Sequence, residues 1–341
     1  MILAVARRDA HSRALLAAVG ALGAEPFVFD LGRFPRAAAV TLGYGPDRPP
    51  AAELVAGGRA LDLSRVRAVW WWHPRRYGLD PRLAERHRPF ALLQADQALS
   101  GLWRGLDVLW VNDPWRADAA QWKTWQLRLA PRAGLPIPRT LVTSSPAHAA
   151  AFLAALCGPR GPGAVAKSLA PARELSFHTR RQGMPGAAAL EAVRRAPVIL
   201  QERVPGTDLR ATVVGRQIFA AEFDARGTAG EDDWRRAWRE VRRSARPVRL
   251  PPRVARAIRS LVGALGLEYA ALDLKRRPDG EIVFLEVNPA GRWLFVEDAA
   301  GLPITRALAR LLVAADRSGE RGRRGAGAAK RAGRGRQRGD G

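Results

Sequence analysis

The sequence is poor in several residue types, and each shortage narrows the reading. One cysteine, Cys157, occurs in 341 residues. An internal disulfide is excluded, and with it the small disulfide-stapled secreted scaffold. No apolar run is long enough to span a bilayer. The start, Met1 to Ala6 followed by Arg7, Arg8 and Asp9, puts charge after a very short apolar stretch. A secretory signal runs the other way, basic residues first and a longer apolar region after them. A cytoplasmic protein with no membrane partner is therefore expected. The five histidines, His11, His73, His87, His148 and His178, show no metal-site spacing such as a pair four apart on a helix. No nucleophile elbow, phosphate loop or dinucleotide glycine fingerprint occurs. Cys157 has no activating partner visible in the sequence and reads as a small buried residue.

Lysine and asparagine are also scarce. Of 56 basic residues only Lys123, Lys167, Lys275 and Lys330 are lysine, and Asn112 and Asn288 are the only asparagines. In a chain that otherwise writes arginine, a lysine is a poor candidate for generic surface charge. Its compact ammonium approaches a phosphate differently from a planar guanidinium. The positions of these few residues therefore carry information.

What is present is a chain with 47% hydrophobic and 26% charged residues, enough for a substantial core and two or three domains or subdomains. The net charge of +24 suggests a polyanionic partner, but it has two parts. Residues 317–341 form a Gly/Ala/Arg tail with nine basic and two acidic residues. Such a composition cannot build a core, so a disordered basic tail over 316–341 is expected. It is either a solvated appendage or a contact for RNA, an acidic peptide or an anionic surface. The other excess charge is arginine spread through the body, so nucleic acid is not the favoured partner.

Along the chain, Ile2 to Ala6, the helical spacing of Leu15, Leu16, Val19 and Leu22, and Pro26 to Phe29 suggest a β-α-β opening and a parallel sheet. Strands at 61–63, 66–72 and 108–111 and a long helix at 81–102 complete an N-terminal α/β domain, residues 1–113. A helix at 118–133, a strand at 140–143, a helix at 146–156 and a strand at 164–168 build a central subdomain, 114–200. Strands at 198–204, 209–214 and 217–223, a helix at 252–265, a hairpin at 269–287 and a closing helix at 304–315 suggest a C-terminal subdomain, 201–315. The hairpin turns through Arg277, Pro278, Asp279 and Gly280.

The sharpest chemical pattern lies in that hairpin. Asp273 is on its first strand. Glu286 and Asn288, two apart on the second, face one side of the sheet. Two carboxylates and an amide oxygen on one face suit Mg²⁺ bound together with nucleotide phosphates. The bland alternative is a solvated hairpin whose acids face water. The apolar neighbours Ala270, Ala271, Leu272, Val283, Phe284, Leu285 and Val287 argue against it.

The segment Ala271 to Trp293, ALDLKRRPDGEIVFLEVNPAGRW, resembles the metal-binding hairpin of ATP-grasp ligases. More narrowly, Phe284 to Pro289, Gly291, Trp293 and Gly301 to Ile304 are similar to the graspetide synthetases, the microviridin-type peptide maturases. The resemblance implies an ATP-grasp fold, α/β in class, with an N-terminal α/β pre-ATP-grasp domain and two α+β subdomains sandwiching ATP. It implies two Mg²⁺ ions, with Mn²⁺ as a substitute, on Asp273, Glu286 and Asn288. It assigns Lys123 and Lys167 to the phosphates, Gln201, Glu202, Arg203 and Val204 to the adenosine hinge, and Asp208 to the vicinity of the nucleotide. Arg210 is implied as the group steadying an acyl phosphate, and Arg235, in an Asp-Trp-Arg run, as a contact of the γ-phosphate.

There are departures. No glycine-rich flap follows Lys167, although Phe177 to Arg180 resembles the branch's aromatic-x-Thr-x segment. A Trp-x-Arg-Arg-Pro motif is replaced by Trp70, Trp71, Trp72, His73 and Pro74, followed by Arg75 and Arg76. The tryptophan run suggests packing between domains or a peptide-binding surface, and packing is favoured. The activity implied is ATP-dependent crosslinking of Asp or Glu side chains of a precursor peptide to amines or hydroxyls. Two other readings stand beside it: a ligase adding an amino acid such as glutamate to a protein or peptide end, and an inactive core with a nucleic-acid-binding tail. A homodimer is left open.

Overall fold

The computed structural model describes residues 1–159, 161–170 and 179–318. Phe177, His178 and the tail from residue 319, on which sequence expectations were placed, lie outside these residues. The chain forms two compact units. One comprises Met1–Asp113 together with the chain from Thr305, and the other is Pro114–Ile304.

The strands of the first unit are β1 (Ile2–Ala6), β2 (Phe27–Phe29), β3 (Ala38–Gly45), β4 (Arg48–Ala56), β5 (Arg59–Asp62), β6 (Ala68–Trp72) and β7 (Leu109–Val111). A parallel sheet runs in the order β2-β1-β6-β7, and a separate antiparallel sheet in the order β3-β4-β5. The second sheet departs from the sequence reading, because β3 and β4 are rich in Ala, Gly and Pro, which are weak strand formers. The helix Ala10–Ala21 opens on a reciprocal cap. Asp9 accepts from the Ser12 amide at 2.8 Å, and the Ser12 hydroxyl accepts from the Asp9 amide at 2.8 Å. Its buried Leu15 and Val19 belong to this unit's core.

The tryptophan run obeys strand alternation. Trp70 and Trp72 share one face of β6 and stack, with centroids 5.6 Å apart and planes 12° from parallel. Trp71 takes the other face, against Trp103 and Trp110. The run is therefore packing within the first unit, as a parallel sheet covered on both faces requires. Residues 304–318 are helical. The end of this helix is tied to the first unit. The Arg317 Nη2 donates to the Leu22 carbonyl at 2.8 Å, and Asp316 pairs with the N-terminal ammonium. Residues from Thr305 thus group with the first unit rather than with a 201–315 subdomain.

The strands of the second unit are β8 (Thr140–Thr143), β9 (Ala164–Lys167), β10 (Arg180–Gln182), β11 (Val198–Glu202), β12 (Thr207–Val214), β13 (Gln217–Phe223), β14 (Arg246–Pro247), β15 (Tyr269–Arg276) and β16 (Ile282–Asn288). They form two antiparallel sheets, β10-β9-β11-β8 and β14-β13-β12-β15-β16. On β12 and β15, Leu209, Ala211, Val213, Ala270, Leu272 and Leu274 pack against Ala257, Ile258 and Leu261 of the helix Pro252–Ala264. Alternation sends Asp208, Arg210, Asp273 and Lys275 to the opposite face, and all four are buried there.

One irregularity decides what β16 presents. Near the turn, Arg276 pairs with Ile282, Lys275 with Val283 and Leu274 with Phe284. Beyond it the register shifts, so that Asp273 pairs with Glu286, Leu272 with Val287 and Ala271 with Asn288. Leu285 is the extra residue of a β-bulge. Phe284 is a core residue, so in an unbroken strand Glu286 would also point into the core. The bulge re-aims Glu286 and Asn288 to the face of Asp273 and returns Val287 to the core.

Candidate active site

A cavity of about 350 Å³ opens on this polar face. Among its lining residues are Lys123, Lys167, Asp208, Arg235, Asp273, Glu286 and Asn288. Lys123 reaches it because the helix expected over 118–133 is broken into Pro114–Ala120 and Lys123–Arg132, which sets Lys123 at a helix start. Its Nζ lies 3.1 Å from Glu286 Oε2 and donates to the Ser168 carbonyl at 3.0 Å. Lys167, the last residue of β9, donates to Gln201 Oε1 at 2.7 Å. Arg235 lies in a short helical turn, Trp234–Ala237, capped by Asp233, whose Oδ1 accepts from Arg235 Nε at 2.7 Å. Its Nη1 lies 3.7 Å from Glu286 Oε1.

The electrostatics follow from crowding. Burial pushes the Lys167 ammonium down to about 8; Glu286 draws it up, and Lys123 and Arg235 repel its proton. Burial alone would raise the Glu286 carboxyl, but Lys123, Lys167 and Arg235 outweigh it and hold the group well below the ordinary range. Burial also pushes Asp208 up to about 7, against the pull of Lys275. Three cations converging on one carboxylate form a site that can accept further negative charge.

The comparisons with known proteins point the same way. Residues 2–118 match the family model described as the MvdD pre-ATP-grasp domain. The macrocyclase MdnC of Microcystis aeruginosa MRC, solved with its precursor peptide MdnA, is 28% identical with a TM-score of 0.79, covering 92% of this chain and 99% of its own. The ATP-grasp ligase PsnB, solved with a minimal precursor, Mg and ADP, is 26% identical with a TM-score of 0.73, covering 92% and 97%. The fold is that of the ATP-grasp ligases. A RiPP-associated ATP-grasp ligase of Chryseobacterium gregarium, solved with ADP and a leader and core peptide, has a TM-score of 0.81 at 22% identity, covers 92% and 96%, and speaks for the fold. No curated protein matches the sequence.

In this ATP-grasp chain the residues expected at the site divide into two groups. Lys123, Lys167, Asp208, Arg235, Asp273, Glu286 and Asn288 line one cavity; Gln201, Glu202, Arg203, Val204 and Arg210 do not. Gln201 acts on the cavity through Lys167, and its Nε2 donates to Thr140 Oγ1 at 2.9 Å. Glu202 is paired with Arg277 at 3.2 Å, and Arg203 with Asp232 at 2.7 Å. Val204 is buried. Arg210 stands behind Asp273, its Nη1 donating to Asp273 Oδ1 at 2.8 Å.

Two residues at this site escaped the sequence reading. Lys275 donates to Asp208 Oδ2 at 3.0 Å and to the Glu231 carbonyl at 3.1 Å, tying β15 to the loop that carries Arg235. Its rarity as a lysine was the available signal. Gln126, one turn after Lys123, lines the cavity and had no signal at all.

The donor set fits a hard divalent cation. Among the described residues no cluster of three or more His, Cys, Asp or Glu side chains is placed to hold a metal, but here the third donor is an amide. The register sets Asp273 opposite Glu286, and Asn288 follows on the same face. All three offer oxygen, which suits Mg²⁺ sharing phosphate ligands. Arg210 and Lys123 balance the two carboxylates in the meantime. Among the described residues no helix is long and apolar enough to cross a membrane.

Proposed function

We propose that the chain is an ATP- and Mg²⁺-dependent ligase that crosslinks a ribosomal precursor peptide within itself, acting in the cytoplasm where both ATP and the peptide are made. The observation that carries this reading is the convergence of Lys123, Lys167 and Arg235 on the same cavity as Asp273, Glu286 and Asn288. The kinship with peptide-bound ligases supports the choice of substrate.

Asp273, Glu286 and Asn288 would hold Mg²⁺, which supplies charge neutralisation on the triphosphate. Lys123, Lys167 and Arg235 bind and orient the phosphates. A side-chain carboxylate oxygen of the peptide attacks the γ-phosphorus, the bond to ADP breaks, and an acyl phosphate forms. An amine or hydroxyl of the same peptide then attacks the acyl carbon, and phosphate leaves. Positioning and electrostatic stabilisation suffice for such a transfer, so no covalent nucleophile from the enzyme is required. Arg210 holds Asp273 in place. The test is mass spectrometry of the cognate peptide after incubation with ATP and Mg²⁺. Loss of one water per crosslink is expected. A mass gain corresponding to an added amino acid would contradict the reading.

A further inference from the structure

β16 is an edge strand of its sheet, so alternate backbone groups along its outer side have no strand partner. At Val287 the partner is a side chain. Gln126 Oε1 accepts from the Val287 amide at 3.0 Å, and Gln126 Nε2 donates to the Val287 carbonyl at 2.8 Å. The same Nε2 donates to the Ala120 carbonyl at 2.7 Å. One carboxamide thus supplies both bonds that a neighbouring strand would make at that residue. Gln126 is 2% exposed, and all its bonds to the strand are shielded from water.

Val287 is the residue between Glu286 and Asn288. It lies just beyond the bulge, where the register is set by only three pairs before the strand ends. Gln126 is on the helix of Lys123, three residues on, and so on the same face of that helix. The helix therefore grips β16 at two adjacent residues, Lys123 on the Glu286 side chain and Gln126 on the Val287 backbone.

We infer that Gln126 is a positioning residue for the cation site, fixing the orientation of the Glu286 and Asn288 donors through the backbone between them. The inference rests on the proposed function and deepens it. An amide serves here where a lysine would not, because the strand offers one donor and one acceptor side by side and an ammonium can only donate.

The experiment uses the full chain and ADP as the probe. Gln126→Leu keeps bulk and removes the bonds. Gln126→Glu keeps the acceptor for the Val287 amide and removes the donor to its carbonyl. Leu261→Ala, a core change on the other side of the sheet, serves as a stability control. The Mg²⁺ concentration that half-saturates ADP binding should rise about tenfold in both Gln126 variants, while ADP affinity at saturating Mg²⁺ stays within about twofold of wild type. Hydrogen exchange at the Val287 amide should speed up in Gln126→Leu. Leu261→Ala should lower the melting temperature and leave the Mg²⁺ requirement unchanged. An unaltered Mg²⁺ requirement in both Gln126 variants, or an equal rise in Leu261→Ala, overturns the inference. Wild-type protein that binds no ADP with Mg²⁺ would instead overturn the functional reading beneath it.

Discussion

β6 of the first unit and β15 of the second are both buried strands, yet they spend their buried positions differently. β6 covers both faces with apolar rings, Trp70 and Trp72 on one side and Trp71 on the other. β15 gives one face to Ala270, Leu272 and Leu274 and the other to Asp273 and Lys275. A buried charge is tolerated only when paired and hydrogen-bonded. The two buried charges on β15 have such partners, Arg210 for Asp273 and Asp208 for Lys275. The difference teaches where to look for function: the first sheet is ordered chiefly by packing, while the second holds a set of charges that packing does not need.

If that contrast is right, changes in the two regions should separate activity from stability. The largest effect on activity is expected from deleting Leu285. The bulge disappears, Glu286 is driven toward the core, and peptide-dependent ADP release should be abolished, with a lowered melting temperature. Next, Lys167→Met should lower kcat/KM by about 10²-fold or more in steady-state assays, since under the proposed mechanism it removes a charge that stabilises the transferring phosphoryl group. A smaller effect comes from pH. Burial holds the Lys167 ammonium down to about 8. Above that pH it is neutral and must take up a proton to meet a phosphate. ADP affinity should therefore fall as pH rises from 8 to 9, by up to about tenfold per pH unit, and binding there should be accompanied by proton uptake in calorimetry. Trp72→Phe should leave turnover unchanged, yet lower stability by about 1–3 kcal/mol in thermal or urea unfolding, through lost ring contact and the lost bond from Nε1 to Asp9.

The same contrast explains what could be read from the sequence. Apolar alternation and turn residues located the hairpin around Gly280 and the β-α-β opening, because those signals are local. The rare Lys123, Lys167 and Asn288 pointed to the cavity, because a chain that writes arginine singles out its exceptions. The β-bulge at Leu285 could not be read: it depends on which residues of β15 stand opposite, a tertiary choice. Gln126 was invisible for the same reason, since its partner lies 161 positions away. The hinge residues Gln201 to Val204 were legible as a motif; the side chains of Gln201, Glu202 and Arg203 are engaged with Lys167 and Thr140, with Arg277 and with Asp232 respectively, and none of the four hinge residues is in the cavity lining. The helix break before Lys123 was missed because the flanking residues read as continuously helical.

The central claim is that the buried charges facing Asp273 carry out phosphoryl transfer. Its most direct test is ADP release by Asp273→Ala, measured with cognate peptide and saturating Mg²⁺ beside the wild type. The account predicts steady release in the wild type and none above background in the variant, with the variant still folded by circular dichroism. Release at the wild-type rate from Asp273→Ala would contradict it.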